Sequence, residues 1–257
     1  MWIMWHAKIS FWRRKRVWVI GATSGIGYGL AKELVRAGAT VIASGRSEKA
    51  IAALQNDGMI PFKLDVTEEK WPEFPQGIGG PVDVLIYSAG SWTAVDIPSW
   101  DQNAFNDQVK VNFLGLAKAT SIVLPEMMRR NKGTIVGISS ASGYTALPRA
   151  EAYGSSKAAV MYFLQSLRID LMGTNIRVVE VNPGFIDTPL TEKNDFYMPF
   201  LGTVDDSTKA ILGGIEGGSN EIHFPRKLTV PIKILRLLPA PIIRYLIMKI
   251  TKRRSHG

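Results

Sequence analysis

One stretch near the amino end limits the fold more than any other: "RVWVIGATSGIGYGLAKELVRAG", residues 16–38. Residues 16–20 make a short apolar run that ends in glycines, the pattern of a buried strand. Leu30, Leu34 and Ala37 then recur at helical spacing, and Gly38 supplies the stop.

The same alternation repeats downstream. Residues 40–44 read as a second strand and 47–56 as a second helix, with Ser47 as its N-cap. Residues 59–66 and 82–90 give two more strands, joined by a short link that Pro interrupts. Two helices are expected near 101–112 and 113–130, then a strand over 133–140, a long helix over 149–173, a strand over 175–182 and a last strand near 219–225. Strands alternating with helices predict an α/β fold: a single doubly wound parallel sheet of Rossmann type, helices on both faces and right-handed crossovers. A chain of 257 residues with 46% hydrophobic content can bury such a core. The pattern divides it into an extension (1–15), the sheet domain (16–225) and a helical tail (226–257).

Composition removes several chemistries. There is no Cys, so disulfides, thiolate catalysis and cysteine metal sites are excluded. His6, His223 and His256 are far apart in sequence, and no metal-ligand spacing is present. The net charge of +9 sits entirely in the two ends. Residues 1–16 carry five Lys or Arg and residues 223–257 carry nine, with no acid in either; between them all 22 acids outweigh the other 17 bases. An acidic middle and no recognised binding motif argue against a nucleic-acid partner.

No window is apolar enough over about 20 residues to span a bilayer, and the charges of the first segment follow its apolar run, the reverse of a signal peptide. A cytoplasmic protein is expected, with an anionic membrane surface as a possible partner of the basic ends. Trp2, Trp5, Ile9 and Trp12 recur at three- and four-residue steps before "RRKR", which fits an amphipathic helix at a membrane interface, an extension packed on its own sheet or on a dimer partner, or a disordered end. The C-terminal tail reads as two short apolar helices divided by Pro239 and Pro241, placed to roof a substrate site, while the N-terminal segment enters from the opposite sheet edge.

The first turn, "VIGATSGIG", is a candidate phosphate cradle. Gly21, Gly25 and Gly27 let the chain turn tightly and let a phosphate reach bare backbone, where the helix amino terminus offers N–H groups and partial positive charge. Further on, Tyr153 and Lys157 stand four apart in "YGSSK". Composition alone supplies roughly 0.4 such pairs by chance, so the spacing carries weight only in context. That context exists: Ser140 lies thirteen residues before Tyr153, and Asn112 precedes both.

Gly-x-x-x-Gly-x-Gly, then Asn112, Ser140, Tyr153 and Lys157 in this order, resembles the short-chain dehydrogenase/reductase family over residues 16–225. The resemblance implies transfer of a hydride between a nicotinamide cofactor and a carbonyl or secondary alcohol. Tyr153 would act as general acid–base, Lys157 would favour its anion and hold the nicotinamide ribose, Ser140 would bond the substrate oxygen, and Asn112 would position a water. Cofactor contacts implied are Gly21, Ser24, Gly25, Ile26, Gly27, Arg46, Asp65, Ala89, Gly90, Asn112, Tyr153, Lys157, Pro183, Gly184, Ile186 and Thr188. Asp65 reads equally as a turn acid.

Two departures from the family stand out. Ile20 replaces a Thr, and Tyr87 replaces an Asn that braces the sheet, which puts that brace in doubt. The second strand ends "ASGRS" with Arg46 where an acid would receive the ribose of NAD(H), so NADP(H) is the expected cofactor. The aromatics of "TEKNDFYMPF" serve either as an apolar substrate lid or as core anchors. A homodimer or homotetramer is expected by resemblance. The rival reading is a non-catalytic NADP(H)-binding sensor or scaffold.

Overall fold

The computed structural model describes residues 7–74, 80–192 and 194–252, with side chains up to residue 249. Trp2, Trp5, His6, Lys193 and His256 fall outside the described residues.

Seven strands form one parallel sheet in the order β3-β2-β1-β4-β5-β6-β7. They are β1 (Arg16–Ile20), β2 (Thr40–Gly45), β3 (Ile60–Lys63), β4 (Val84–Tyr87), β5 (Gly133–Ile138), β6 (Ile176–Pro183) and β7 (Glu221–Phe224). The helices are α1 (Ile9–Trp12), α2 (Gly25–Arg36), α3 (Glu48–Leu54), α4 (Gln102–Val109), α5 (Gly115–Arg130), α6 (Glu151–Asp170), α7 (Val204–Glu216), α8 (Arg226–Leu235) and α9 (Ala240–Lys252).

Strand alternation builds the two faces. Val17 and Val19 of β1 join Leu30 and Leu34 of α2 and Ile211 and Ile215 of α7 in one core. Trp18 and Ile20 point the other way, into a core with Leu116 and Val123 of α5 and Val160 and Leu164 of α6. Ser47 caps α3 by accepting the Ala50 N–H, as expected.

Two expectations change, and one open alternative is decided. The two helices near 101–130 are one run. Asp101 caps it, and between α4 and α5 it widens into a π turn over Lys110–Leu114. Such a turn inserts one residue into the ladder and frequently sits at a functional site; here it carries Asn112. The crossover helix α7 was not picked out in the sequence. Its Gly213–Gly214 weakens the helical signal, yet a Cβ on Gly214 would lie 2.6 Å from Ile222 Cδ1, so a side chain there would force Ile222 on β7 to shift. Finally, Trp12 is fully buried in the first core, and its indole N–H donates to Glu216 at 2.6 Å. It is a core residue, not part of a membrane face.

The tails also sit differently from expectation. β1 is third from one edge, so the N-terminal segment enters no sheet edge. It runs along the amino ends of the strands, where Arg14 N–H bonds the Gly38 carbonyl. α8 leaves the carboxyl end of β7, so the two tails occupy opposite ends of the strands. Thr229 is buried, and Ile232 packs on Ala141, Tyr144 and Met161. α8 thus buttresses the turn after β5 from behind rather than roofing the cleft.

Candidate active site

A cleft of about 500 Å³ opens at the carboxyl ends of β1, β2, β4, β5 and β6. It runs from Arg46 and Asp65 past the glycine turn to Ser140, Tyr153 and Lys157. Ser24, Ile26, Ala89, Gly90, Pro183, Gly184, Ile186 and Thr188 line it as well. Gly27 and Asn112 lie one layer behind the wall.

The glycine turn is fixed by sterics. Gly21 and Gly25 have φ of 83° and 53°, where a side chain is strained. A Cβ on Gly27 would stand 2.1 Å from the Gly21 carbonyl oxygen, so the strand-to-helix turn closes only over glycine. Ser24 occupies the N-cap of α2 without a side-chain capping bond, which leaves the first N–H groups turned to the cleft rather than consumed locally. Thr188 closes over this turn: its methyl would be 3.1 Å from a Cβ on Gly25. These features fit a pyrophosphate, and the cleft's Arg46 end fits a further phosphate.

At that end Arg46 is exposed and projects from the loop after β2. Asp65 accepts the Thr67 backbone N–H at 2.9 Å and its hydroxyl at 2.7 Å. Burial alone would raise this carboxyl, but the Thr67 bonds and the Arg46 charge hold it below the ordinary range. Asp65 is therefore a turn acid that also faces the cleft.

At the other end three elements converge. Alternation at the end of β5 separates two serines: Ser139 Oγ donates to the Lys157 carbonyl at 2.7 Å, while Ser140 turns into the cleft that Tyr153 also lines. Ser140 Oγ also accepts from the Ser142 N–H at 3.2 Å. One helical turn separates Tyr153 from Lys157, so both lie on the same face of α6. Lys157 is 3% exposed; its Nζ donates to the Ile138 carbonyl at 2.9 Å and lies 5.7 Å from the Tyr153 ring centre. Burial pushes its ammonium down to about 8. Burial also raises the Tyr153 phenol, with the Ser140 hydroxyl drawing it part of the way back. Desolvation is the largest influence on the phenol in the cofactor-free cleft.

Asn112 is fully buried in the π turn. Its Oδ1 accepts from Ser91 N–H at 2.7 Å, and its Nδ2 donates to the Ser91 carbonyl at 3.0 Å and Ser156 Oγ at 2.9 Å. The amide is spent on tying the loop after β4 to α6.

The sequence reading missed several contributors. Tyr87 is buried, and its hydroxyl donates to the Val111 carbonyl at 2.5 Å, so it supplies a brace of its own beside Asn112. Gln108 holds the next loop by bonding both the N–H and the carbonyl of Thr93, at 3.1 and 3.0 Å. Trp92 meets Tyr153 edge-on, ring centres 5.3 Å apart. Beyond Trp92 a second hollow of about 160 Å³ is bounded by Thr93, Ala94, Arg149, Asn194 and Asp195. Arg149 and Asp195 pair across it at 2.8 Å. In the loop after β6, Phe196 and Phe200 are exposed, with Phe196 edge-on to Phe185, so they are not core anchors.

A sequence profile described as "short chain dehydrogenase" matches residues 15–196. An uncharacterized oxidoreductase of Myxococcus xanthus is 36% identical over 235 residues, covering 87% of this chain and 92% of that protein. A probable NADP-dependent dehydrogenase of Haemophilus influenzae is 34% identical over 180 residues, covering 65% of this chain and 69% of its own. Among solved structures, a serine dehydrogenase complexed with NADP+ superposes with a TM-score of 0.72 at 25% identity, over 82% of this chain and 95% of that one.

Proposed function

This chain belongs to the short-chain dehydrogenase family, and from that premise we propose that it is an NADP(H)-dependent reductase of a lipophilic ketone. The observation that carries the reading is the meeting of Ser140, Tyr153 and Lys157 in one cleft with the glycine turn. The cofactor, when bound, supplies the hydride.

The chain's own residues do the rest. Gly21, Gly25 and the amino end of α2 hold the pyrophosphate. Arg46 pairs with the 2′-phosphate, and the loop after β2 carries no acid to repel it. Thr188 and the Ile186 backbone hold the carboxamide side. The protonated Tyr153 phenol gives its proton to the carbonyl oxygen as charge develops there, and Ser140 donates a hydrogen bond to the same oxygen. Lys157, its proton lightly held, returns a proton toward the phenol and steadies the ribose. With its amide occupied, Asn112 acts as a positioning residue.

Trp92 lines both the cleft and the hollow beyond it, and the exposed Phe196 and Phe200 belong to the loop after β6, which supports a lipophilic ketone. Tyr162 and Ile169 of α6, and Met172 in the turn after it, are exposed and apolar, which supports pairing of copies through α5 and α6. A pure sensor would need neither a buried ammonium nor a phenol beside a serine. The test is titration of NADPH and NADH into the protein, followed by NADPH oxidation with long-chain and cyclic ketones. Tighter binding of NADPH and turnover of an apolar ketone are expected; equal or tighter binding of NADH overturns the cofactor assignment, and binding without turnover of any ketone favours the sensor.

A further inference from the structure

We propose that α8 and α9 form a docking face for an anionic phospholipid surface, on which the helices lie without spanning it. Val230, Ile234, Leu237 and Leu238 recur at three- and four-residue steps along α8 and its exit, and all four are exposed, Leu237 to 83%. Ile242 and Tyr245 continue the exposed row on α9. An apolar row left open along two consecutive helices marks a partner rather than scattered surface residues.

Charge selects the partner. Arg226, Lys227, Arg236, Arg244 and Lys249 are exposed on the same two helices, and residues 226–257 contain no acid. Long basic side chains can lay their stems along the apolar surface and reach headgroup phosphates. A second copy of the same face would bring these cations against one another, so self-pairing is disfavoured. No helix among the described residues is long and apolar enough to cross a membrane. The 13 residues of α9 extend only about 20 Å against the roughly 30 Å of a hydrocarbon core, so the helix must lie in the interface.

The fold holds the face outward. Thr229 and Ile232 fix the inner side of α8, and Lys233 clamps both carboxylate oxygens of Glu221 at 2.9 and 2.7 Å. Leu228 packs on Gly184, which itself lines the cleft, so the docking face begins at the end of the sheet where the cleft opens. A membrane there would deliver an apolar ketone beside the exposed Phe196 and Phe200. The vesicle test below is read without substrate, so it can fail while the reductase reading stands.

The full chain is sedimented with vesicles of phosphatidylcholine alone or enriched in phosphatidylglycerol. The wild type is expected to sediment with the anionic vesicles, to bind the neutral ones much less, and to be released at high salt. Ile234→Ser with Leu237→Ser should weaken sedimentation by at least roughly tenfold while NADPH affinity is unchanged. Arg236→Gln with Arg244→Gln should weaken it on anionic vesicles only. Absence of sedimentation, equal sedimentation on neutral vesicles, or full retention by the Ile234→Ser, Leu237→Ser protein overturns the proposal. So does lipid-free self-association that the same pair of substitutions abolishes, because the occupant is then a second copy.

Discussion

Tyr87→Phe isolates the brace that replaces the asparagine of the family pattern. Tyr87 is 1% exposed, and its hydroxyl donates to the Val111 carbonyl, next to Asn112. The substitution removes one oxygen and leaves that half-buried carbonyl without this donor. Such a loss costs about 1–3 kcal/mol. For a chain of this size each kcal/mol lowers the midpoint by roughly 2–4 °C, so thermal unfolding followed by circular dichroism should shift down by between about 2 and 12 °C. Turnover should fall as well, because the π turn that holds Asn112 loses an anchor, while NADPH affinity stays close to wild type. An unchanged midpoint together with unchanged turnover would refute the brace: the hydroxyl would then be a passenger in the core.

Trp12→Ala should destabilise the protein by about 3–5 kcal/mol, since it empties a fully buried site and removes the donor to Glu216; a midpoint unchanged in a thermal melt would return Trp12 to a surface role. Lys157 titrates near 8 in the fold against 10.5 ordinarily. Between those values the unfolded chain binds a proton the folded one does not, so stability rises with pH, and below them the burial cost is present in full. Relative to Lys157→Met, the cofactor-free wild type should gain on the order of 3 kcal/mol across that window in denaturant titrations; a constant difference contradicts it. Arg46→Asp should weaken NADPH roughly ten- to hundredfold and leave NADH unchanged or tighter in fluorescence titrations; equal losses for both cofactors would remove Arg46 from the 2′-phosphate.

The sheet was legible because its strands are short apolar runs between helices of clear period, and because "GATSGIG" has one steric solution. Ser47 read correctly as a cap for the same reason: its role is set within three residues. What was lost depended on distant partners. The π turn leaves no mark in spacing, since an inserted residue looks like a boundary between two helices. α7 was hidden by two glycines, one of which, Gly214, has its meaning across space in Ile222. Trp12 carried a perfect amphipathic period, yet Glu216 and the core around α2 and α7 decide its place. In the site, the order of Asn112, Ser140, Tyr153 and Lys157 located the cleft, but the bonds that occupy the Asn112 amide, to Ser91 and Ser156, depend on partners that a motif does not encode.

Tyr153→Phe tests the central claim most directly, because it removes one oxygen from the proposed proton donor and little else. With a ketone that the wild type reduces, stopped-time NADPH oxidation should slow by roughly 10²–10⁴-fold, while NADPH affinity stays within about twofold. Turnover retained in that variant would contradict the proton-donor role of Tyr153.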